Sequence, residues 1–246
     1  MHRYQILIEY VGTSFVGWQI QKKGRSIQKI VQSTLSKLLK QKIVIYGSGR
    51  TDSGVHALGQ SAHFDVKNKI QNINKIIKSL NYFLNIKMIS IISIKKKKIH
   101  FHARHSAKER IYLYIINNRH SPSIINRDRE WHIRKKLDIS LIKKGAKKLV
   151  GTHDFSTFRA SNCSAKSPIK TINKIIISKS KNRIKLKFKS KSFLKNQVRS
   201  MVGCLKYLGE KKWDLKKFEN FIIKKDRKKV APPAPACGLY LEKIIY

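Results

Sequence analysis

The chain is organised around one stretch, residues 47–57, which read Gly47-Ser48-Gly49-Arg50-Thr51-Asp52-Ser53-Gly54-Val55-His56-Ala57. In this stretch the carboxylate of Asp52 stands close to the guanidinium of Arg50, between glycines. Glycine lets the backbone turn tightly and lets a ligand approach, while arginine can grip a phosphate bidentately or hold a carboxylate in place. The combination favours chemistry on a nucleotide, with Asp52 as the reactive group. Asp-Ser-Gly is also an ordinary turn sequence, in which the Asp side chain bonds the backbone two residues on.

The composition is strongly basic. Lys and Arg number 55 against 13 Asp and Glu, which gives a formal net charge of +42. This charge favours a polyanionic partner. Nucleic acid fits better than a membrane, because the basic residues are spread along the chain and no stretch reaches the roughly 18 apolar residues of a spanning helix. Lys, Ile and Asn are all frequent, as in proteins from A/T-rich coding sequences, so we attribute part of the charge to composition.

Cysteine and histidine usage argues against a metal or a disulfide framework. The three cysteines are isolated and lack Cys-x-x-Cys spacing, which predicts reduced thiols in a cytoplasmic protein: Cys163, Cys204 and Cys237. The first residues contain no apolar signal core, so we do not expect export. Residues 100, 102 and 105 are histidines, and a strand would place His100 and His102 on one face. No acidic or thiolate partner is nearby, so we expect a polar strand and no metal.

The first half of the chain predicts strands interleaved with helices. Alternation over residues 3–9 predicts the first strand, and Ser26 precedes helical spacing of apolar residues over 27–38. Further strands are predicted at 61–66, 88–94 and 111–116, and an amphipathic helix at 73–84.

A polar segment at 117–129, which contains Pro122, predicts a boundary between two domains, 1–118 and 119–246. The second half predicts helices over 141–150 and 193–208, a hairpin of 172–178 and 183–188, a helix capped by Asp214, and a closing strand at 239–245. This order predicts an α+β fold of two similar units. Each would be a mainly antiparallel sheet with helices on one face, and the two sheets would join across a central RNA-binding cleft.

Residues 49–57 resemble the signature of the tRNA pseudouridine synthase A family. Residues 101–114 resemble that family's Phe-His-Ala-Arg-Phe-Ser-Ala and Tyr-x-Tyr element, with His105 where phenylalanine is usual. In a strand, Tyr112 and Tyr114 point the same way, so they could fill a core or offer a stacking face to an extruded uracil. The resemblance implies that Tyr112 lies against the target base.

Residues 193–203 resemble the family's Phe-Leu-x-x-x-Val-Arg-x-Met-Val-Gly helix. Arg199 stands beside the apolar stripe of this helix, where an unpaired guanidinium would cost about 3 to 5 kcal/mol. A carboxylate or phosphate partner is therefore expected, with a surface salt bridge as the alternative. The resemblance implies that Arg199 pairs with the catalytic aspartate, Asp52. Weaker matches extend the resemblance to about residue 241, and the adjacent pair His153-Asp154 is interpreted as structural because it lacks the geometry of a triad.

The resemblance implies an isomerase that converts uridine to pseudouridine in the anticodon stem-loop of tRNA, at positions 38, 39 and 40, and acts as a homodimer. Asp52 would be the nucleophile, although attack on the sugar, attack on the base and abstraction of a ribose proton remain open. Arg50 and Arg199 would orient it. No redox cofactor, nucleotide or metal is expected, because the bonds broken and formed are internal to the substrate.

Residues 25–30 and the lysine run 95–98 are candidate RNA contacts, and the second could equally be a solvated charge run. Two alternative functions remain. One is a non-catalytic basic RNA-binding protein of the same fold, and the other is a glycosidase that excises a base.

Overall fold

The structure is a computed structural model and describes residues 1–224 and 230–246. The fold is α+β, as predicted. The chain divides into two compact units, one formed by Met1–Lys108 with Tyr240–Tyr246 and the other by Glu109–Leu239.

The sheet of the first unit is built on β1 (His2–Tyr10), which pairs antiparallel with β3 (His56–Val66) and with β4 (Ile89–Lys97). A two-residue strand, β2 (Tyr46–Gly47), pairs antiparallel with β3. The closing strand β10 (Leu239–Ile245) runs parallel to β3, with Tyr240 opposite His56. The chain therefore returns to the first unit at its end, and β3 receives three partners.

Two helices belong to this unit, α1 (Ile27–Leu38) and α2 (Ile73–Leu84), and both have the bounds that the sequence predicts. Each begins at a side-chain cap. Ser26 accepts a hydrogen bond from the backbone of Lys29, and Asn72 accepts one from the backbone of Lys75. These caps satisfy donors that the first turn leaves without partners.

The second unit has a sheet in the order β5-β9-β8-β7. The strands are β5 (Glu109–Asn117), β7 (Gly151–Asp154), β8 (Ile169–Ser180) and β9 (Arg183–Ser190). All three pairings are antiparallel, and β8 and β9 form the predicted hairpin. A short strand, β6 (Trp131–His132), adds to β5 in parallel.

The helices of this unit are α3 (Ile139–Lys148), α4 (Gln197–Gly209) and α5 (Leu215–Lys224). The predicted apolar stripe of α4 is buried throughout: Val198, Met201, Val202, Leu205 and Leu208. The helix begins four residues later than predicted because Asn196 adopts the left-handed conformation, with a φ of 63°. Asp214 caps α5 as predicted, by accepting a hydrogen bond from the backbone of Lys217.

The structure differs from the sequence-based description at two places. The contact boundary falls between Lys108 and Glu109 rather than at 118/119, because β5 pairs along its length with β9 and so carries the polar segment after it into the second unit. The strand expected around His100 and His102 is wrong: β4 ends at Lys97 and the chain continues as turns and loop to Glu109. No helix among the described residues is long and apolar enough to cross a bilayer.

Gly203 in α4 lies against the backbone of the proline-rich segment 231–235. A Cβ at this position would collide with the carbonyl oxygen of Pro232. We expect Gly203→Ala to lower the free energy of unfolding by about 3 kcal/mol in urea denaturation, because the clash can be relieved only by a shift of the backbone. Gly145→Ala in α3 is the matched control, since its Cβ would meet only side chains, foremost the end of Leu208. Equal losses in the two variants would show that the contact with the Pro232 carbonyl oxygen is not the cause.

Candidate active site

The loop of residues 48–55 connects β2 to β3 and is fastened to β3 at its start. The backbone of Ser48 donates a hydrogen bond to the carbonyl of Ser61 at 2.7 Å. The side chain of Gln60, which is fully buried, holds Gly49 from both sides: its amide donates to the Gly49 carbonyl at 2.8 Å, and its oxygen accepts from the Gly49 backbone at 3.4 Å. These hydrogen bonds fix the position at which the loop begins.

Thr51 and Asp52 form the next part of the loop. The Thr51 hydroxyl shares a buried 2.8 Å hydrogen bond with the hydroxyl of Tyr10, and the Thr51 carbonyl accepts from the backbone of Trp18 at 3.1 Å. The backbone of Val55 donates to the carbonyl of Asp52 at 3.1 Å, which closes a turn. The Asp-Ser-Gly sequence therefore forms a turn that is closed by a backbone hydrogen bond. It leaves the Asp52 side chain partly exposed beside a buried threonine.

Residues 12–18, between β1 and α1, form a segment, here called the bed, that packs against the loop of residues 48–55. Gly17 has a φ of 110°, and a Cβ there would come within 2.5 Å of the Thr51 carbonyl oxygen. The carbonyl of Phe15 accepts hydrogen bonds from the Ser53 hydroxyl and the Gly54 backbone, at 3.1 and 3.3 Å. The contacts of residues 12–18 with the loop were not predicted from the sequence. Their signal is the pair of glycines at 12 and 17, followed by a tryptophan, within seven residues.

Arg50 occupies an exposed position in the same loop. The sequence left two roles open for Arg50, gripping a phosphate and holding the aspartate. An exposed guanidinium at the rim of the loop suits the first role.

The second unit carries the two other predicted residues. Tyr112 lies in β5 opposite Phe188 of β9, and its ring meets the ring of Phe193 edge-on at 5.2 Å between centroids. Tyr114 lies on the same face, fully buried, and its hydroxyl donates to the carbonyl of Pro235 at 2.8 Å. Burial raises the pKa of the Tyr114 phenol far above its ordinary value. Both tyrosines are buried: Tyr114 is fully enclosed in the core, and Tyr112 is 8% exposed.

Arg199 lies in the first turn of α4 and is fixed by the segment 231–235. Its Nε donates to the carbonyl of Ala234 at 2.7 Å, and the Ala234 backbone donates to the Arg199 carbonyl at 2.9 Å. Nη1 also donates to the side-chain oxygen of Asn196 at 3.4 Å. The guanidinium is partly exposed and held in one orientation. Sequence reasoning missed Ala234, because alanine offers no side-chain signal.

The pair His153-Asp154 has structural partners. A ring nitrogen of His153 contacts the carbonyl of Val150 at 2.9 Å, and the Asp154 carboxylate accepts from the Ser156 backbone at 2.9 Å, at the start of a short 3-10 turn. These contacts agree with the structural interpretation. No group of three or more His, Cys, Asp or Glu side chains that could hold a metal ion occurs within residues 1–224 and 230–246.

His63 of β3 is buried a short way along the strand from Gln60. Burial is the main cause that lowers its pKa from 6.5 to about 4, and the nearby charges of Arg3 and His102 lower it further, while Asp65 raises it. The imidazole is therefore neutral at pH 7. Its Nδ1 accepts a hydrogen bond from the Ala103 backbone at 3.1 Å, and this bond ties the loop after β4 to the sheet.

We expect His63 to make the protein less stable in mild acid. The unfolded chain protonates this imidazole near pH 6.5 and the folded chain near 4, so the unfolded state binds more protons between these values. The free energy of unfolding is not reduced by this group above pH 6.5. On acidification towards pH 4 it falls by on the order of 1 to 3 kcal/mol. Urea denaturation of His63→Gln should show a flatter dependence on pH. The exposed control His100→Gln should follow the unaltered protein, and a flatter curve there as well would contradict the assignment.

Comparison with known proteins agrees with the motifs. A family model described as tRNA pseudouridine synthase matches residues 6–106 and 146–246, which include Arg50, Asp52 and Arg199 but not Tyr112. The chain is 65% identical over 246 residues to tRNA pseudouridine synthase A of Pelagibacter ubique (strain HTCC1062), with 100% of each chain covered. It is 41% identical, again over 246 residues and 100% of each chain, to tRNA pseudouridine synthase A of Parvibaculum lavamentivorans (strain DS-1 / DSM 13023 / NCIMB 13966). This chain belongs to the tRNA pseudouridine synthase family.

Proposed function

We propose that this protein isomerises uridine to pseudouridine in the anticodon stem-loop of tRNA, at positions 38, 39 and 40. Pseudouridylation of tRNA is the activity that gives the family its name. The observation that carries the proposal is the loop of residues 48–55, which β3 and residues 12–18 fix from both sides while the Asp52 side chain stays partly exposed.

The reaction balances within the substrate. The bond between N1 of the uracil and C1′ of the ribose breaks, the base rotates while it is held, and a bond forms between C5 and C1′. The proton on C5 leaves to water, and N1 takes up a proton. Asp52 is proposed as the nucleophile that assists the first bond to break, because an ionised oxygen close to the glycosidic bond serves every route that the sequence leaves open.

Each remaining site residue has a proposed role that suits its surroundings. Arg50, exposed in the loop, would bind a phosphate of the RNA bidentately. Arg199, held by Ala234, would supply a fixed positive charge that keeps the catalytic carboxylate ionised and oriented. Tyr112 would hold the extruded uracil by stacking, since the base must leave the RNA stack before its glycosidic bond can react.

The RNA partner accounts for part of the positive charge. Arg25 lies over the ring of Phe15 at 5.6 Å, next to the bed of the catalytic loop, and Lys97 lies over the ring of Phe101 at 5.2 Å. Both belong to the segments 25–30 and 95–98 that we propose as RNA contacts. A homodimer and a cytoplasmic location stay predictions, the first of which light scattering during size-exclusion chromatography would test.

The proposal is tested with unmodified tRNA that carries tritium at uridine C5. We expect release of tritium to water, and no release from a matched tRNA in which the uridines of the anticodon stem-loop are replaced by cytidine. Equal release from both RNAs would overturn the anticodon assignment, and no release from either would overturn the enzyme assignment.

The same assay separates the two alternatives. A non-catalytic RNA-binding protein would bind the tRNA and release no tritium. A glycosidase would liberate free uracil and leave an abasic site, whereas an isomerase conserves the mass of the nucleoside. Nucleoside mass spectrometry of the digested product therefore distinguishes all three functions.

A further inference from the structure

Four rings of the first unit form a continuous chain of ring contacts, of which the first is stacked, the second edge-on and the third tilted. Tyr46 of β2 stacks on His63 of β3, with centroids 5.0 Å apart and planes within 19°. His63 in turn meets His102 at 4.6 Å, and His102 meets His105 at 4.3 Å. We call this group, Tyr46, His63, His102 and His105, the ring platform. No proposed step of the reaction uses it.

Backbone hydrogen bonds fix two of the imidazoles. Nδ1 of His63 accepts from the Ala103 backbone, and Nδ1 of His102 accepts from the backbones of Arg104 and His105 at 3.1 and 3.3 Å. An acceptor nitrogen carries no proton, so both rings are neutral when these bonds form. Burial also lowers the pKa of His63 and of His102. Two neutral imidazoles, those of His63 and His102, therefore lie next to the exposed ring of Tyr46 in a protein whose net charge is +42.

A purely structural role does not account for the outer rings. Tyr46 is 49% exposed, whereas Tyr4 and Tyr10, which fill the core of the same unit, are 1% and 2% exposed. His105 is exposed as well. Metal binding does not explain the group, because the Nδ1 atoms of His63 and His102 already accept backbone hydrogen bonds.

The position of the platform relates it to the catalytic loop. Tyr46 precedes Arg50 by four residues, and four residues span at most about 14 Å. Bases along one strand of a helix are spaced by about 3.4 Å, so the platform lies within about four nucleotides of any phosphate that Arg50 holds. An exposed aromatic ring on a strongly basic protein suits the binding of unpaired bases, because every base has a face that can stack.

We propose that the ring platform binds an unpaired base of the substrate RNA, distinct from the uridine that reacts, by stacking it on Tyr46. This inference rests on the proposed function for the identity of the RNA. His105, which stands where the resembling motif has phenylalanine, adds a ring with a nitrogen that can also bond to the edge of the base.

The affinity test compares Tyr46→Ala with Tyr46→Phe, which keeps the ring and loses the hydroxyl. Fluorescence anisotropy with an anticodon stem-loop RNA should give a Kd about tenfold higher for Tyr46→Ala and within about twofold of the unaltered protein for Tyr46→Phe. The matched control is Tyr82→Ala on α2, an 81% exposed tyrosine outside the platform, and its Kd should not change. In tritium release, the loss in kcat/KM for Tyr46→Ala should come mainly from KM. An unchanged Kd for Tyr46→Ala, or an equal loss in Tyr82→Ala, would overturn the proposal.

Cross-linking tests the contact in the unaltered protein, so its outcome does not depend on the folding of a variant. RNAs that carry 5-iodouridine at single loop positions are irradiated with the protein, and the linked peptide is identified by mass spectrometry. We expect a link between the Tyr46 peptide and a nucleotide other than the reacting uridine. Links only to other peptides would overturn the platform even if tritium release proceeds. Absence of tritium release with the expected link would overturn the proposed function and leave the platform standing.

Discussion

Replacing Asp52 by asparagine is expected to reduce tritium release from labelled tRNA at least about 10⁴-fold, the size of loss that follows removal of a catalytic nucleophile. Asparagine has the shape of aspartate without its charge or nucleophilic oxygen. The backbone bond from Val55 to the Asp52 carbonyl, and the Thr51 bonds to Tyr10 and Trp18, do not involve the carboxylate. The fold of the loop should therefore survive, and thermal unfolding should stay close to that of the unaltered protein.

The control for this variant is Glu9→Gln, which removes one exposed carboxylate from β1. Its rate should match that of the unaltered protein. RNA affinity of Asp52→Asn should also be retained, because binding rests mainly on phosphate contacts. Release by Asp52→Asn above about 1% of the original rate would remove Asp52 from the nucleophilic role, and a large loss of RNA affinity would assign it to binding instead.

The loop of residues 48–55 shows which parts of a candidate site can be predicted from a sequence. Asp52 and Arg50 are candidate site residues because their chemical groups lie within three residues of each other. The groups that fix the loop are distant in sequence: Tyr10 stands 41 residues from Thr51, and Phe15 stands 38 residues from Ser53. Pairing over such distances is set by the register of β1 on β3 and by the path of residues 12–18, neither of which leaves a local pattern.

The secondary structure likewise contains elements that a local sequence pattern predicts and elements that it does not. The bounds of α1 and α2 were predicted to the residue, because a polar cap directly precedes an apolar stripe in each. β3 was predicted only from residue 61, although it begins at His56. Most of its residues are buried on both faces, so the alternation that marks a half-buried strand is missing.

Two further features were not predicted: the start of α4 and the return of the chain to the first unit. The left-handed Asn196 delays the start of the helix, and the Gln197 side-chain oxygen accepts a hydrogen bond from the Leu194 backbone at 2.7 Å. The return of β10 to β3 was not predicted, because a parallel pairing between residues 56 and 240 depends on the whole intervening fold. By its contacts, the polar segment 117–129 is grouped with the second unit.

Replacing Arg199 by alanine is expected to lower kcat for tritium release by about 10² to 10³-fold, as for other fixed groups that stabilise charge in a transition state. Arg199→Lys keeps the positive charge but loses the Nε donor to Ala234 and the planar fork, so we expect about a tenfold loss. The control is Arg127→Ala, an exposed arginine of the second unit, which removes the same charge and should leave kcat unchanged.

If Arg199 acts by positioning the proposed nucleophile Asp52, the effects of the two substitutions should not add. Combining Arg199→Ala with Asp52→Asn should cost little more than Asp52→Asn alone, because a positioning group has no effect once the group that it positions is gone. Added guanidinium ion should partly restore kcat in Arg199→Ala and not in the double variant. Full additivity of the two losses would show that Arg199 acts on the RNA rather than on the carboxylate. Its bond to Ala234 would then orient a phosphate-binding fork, and the loss in Arg199→Ala would appear in KM.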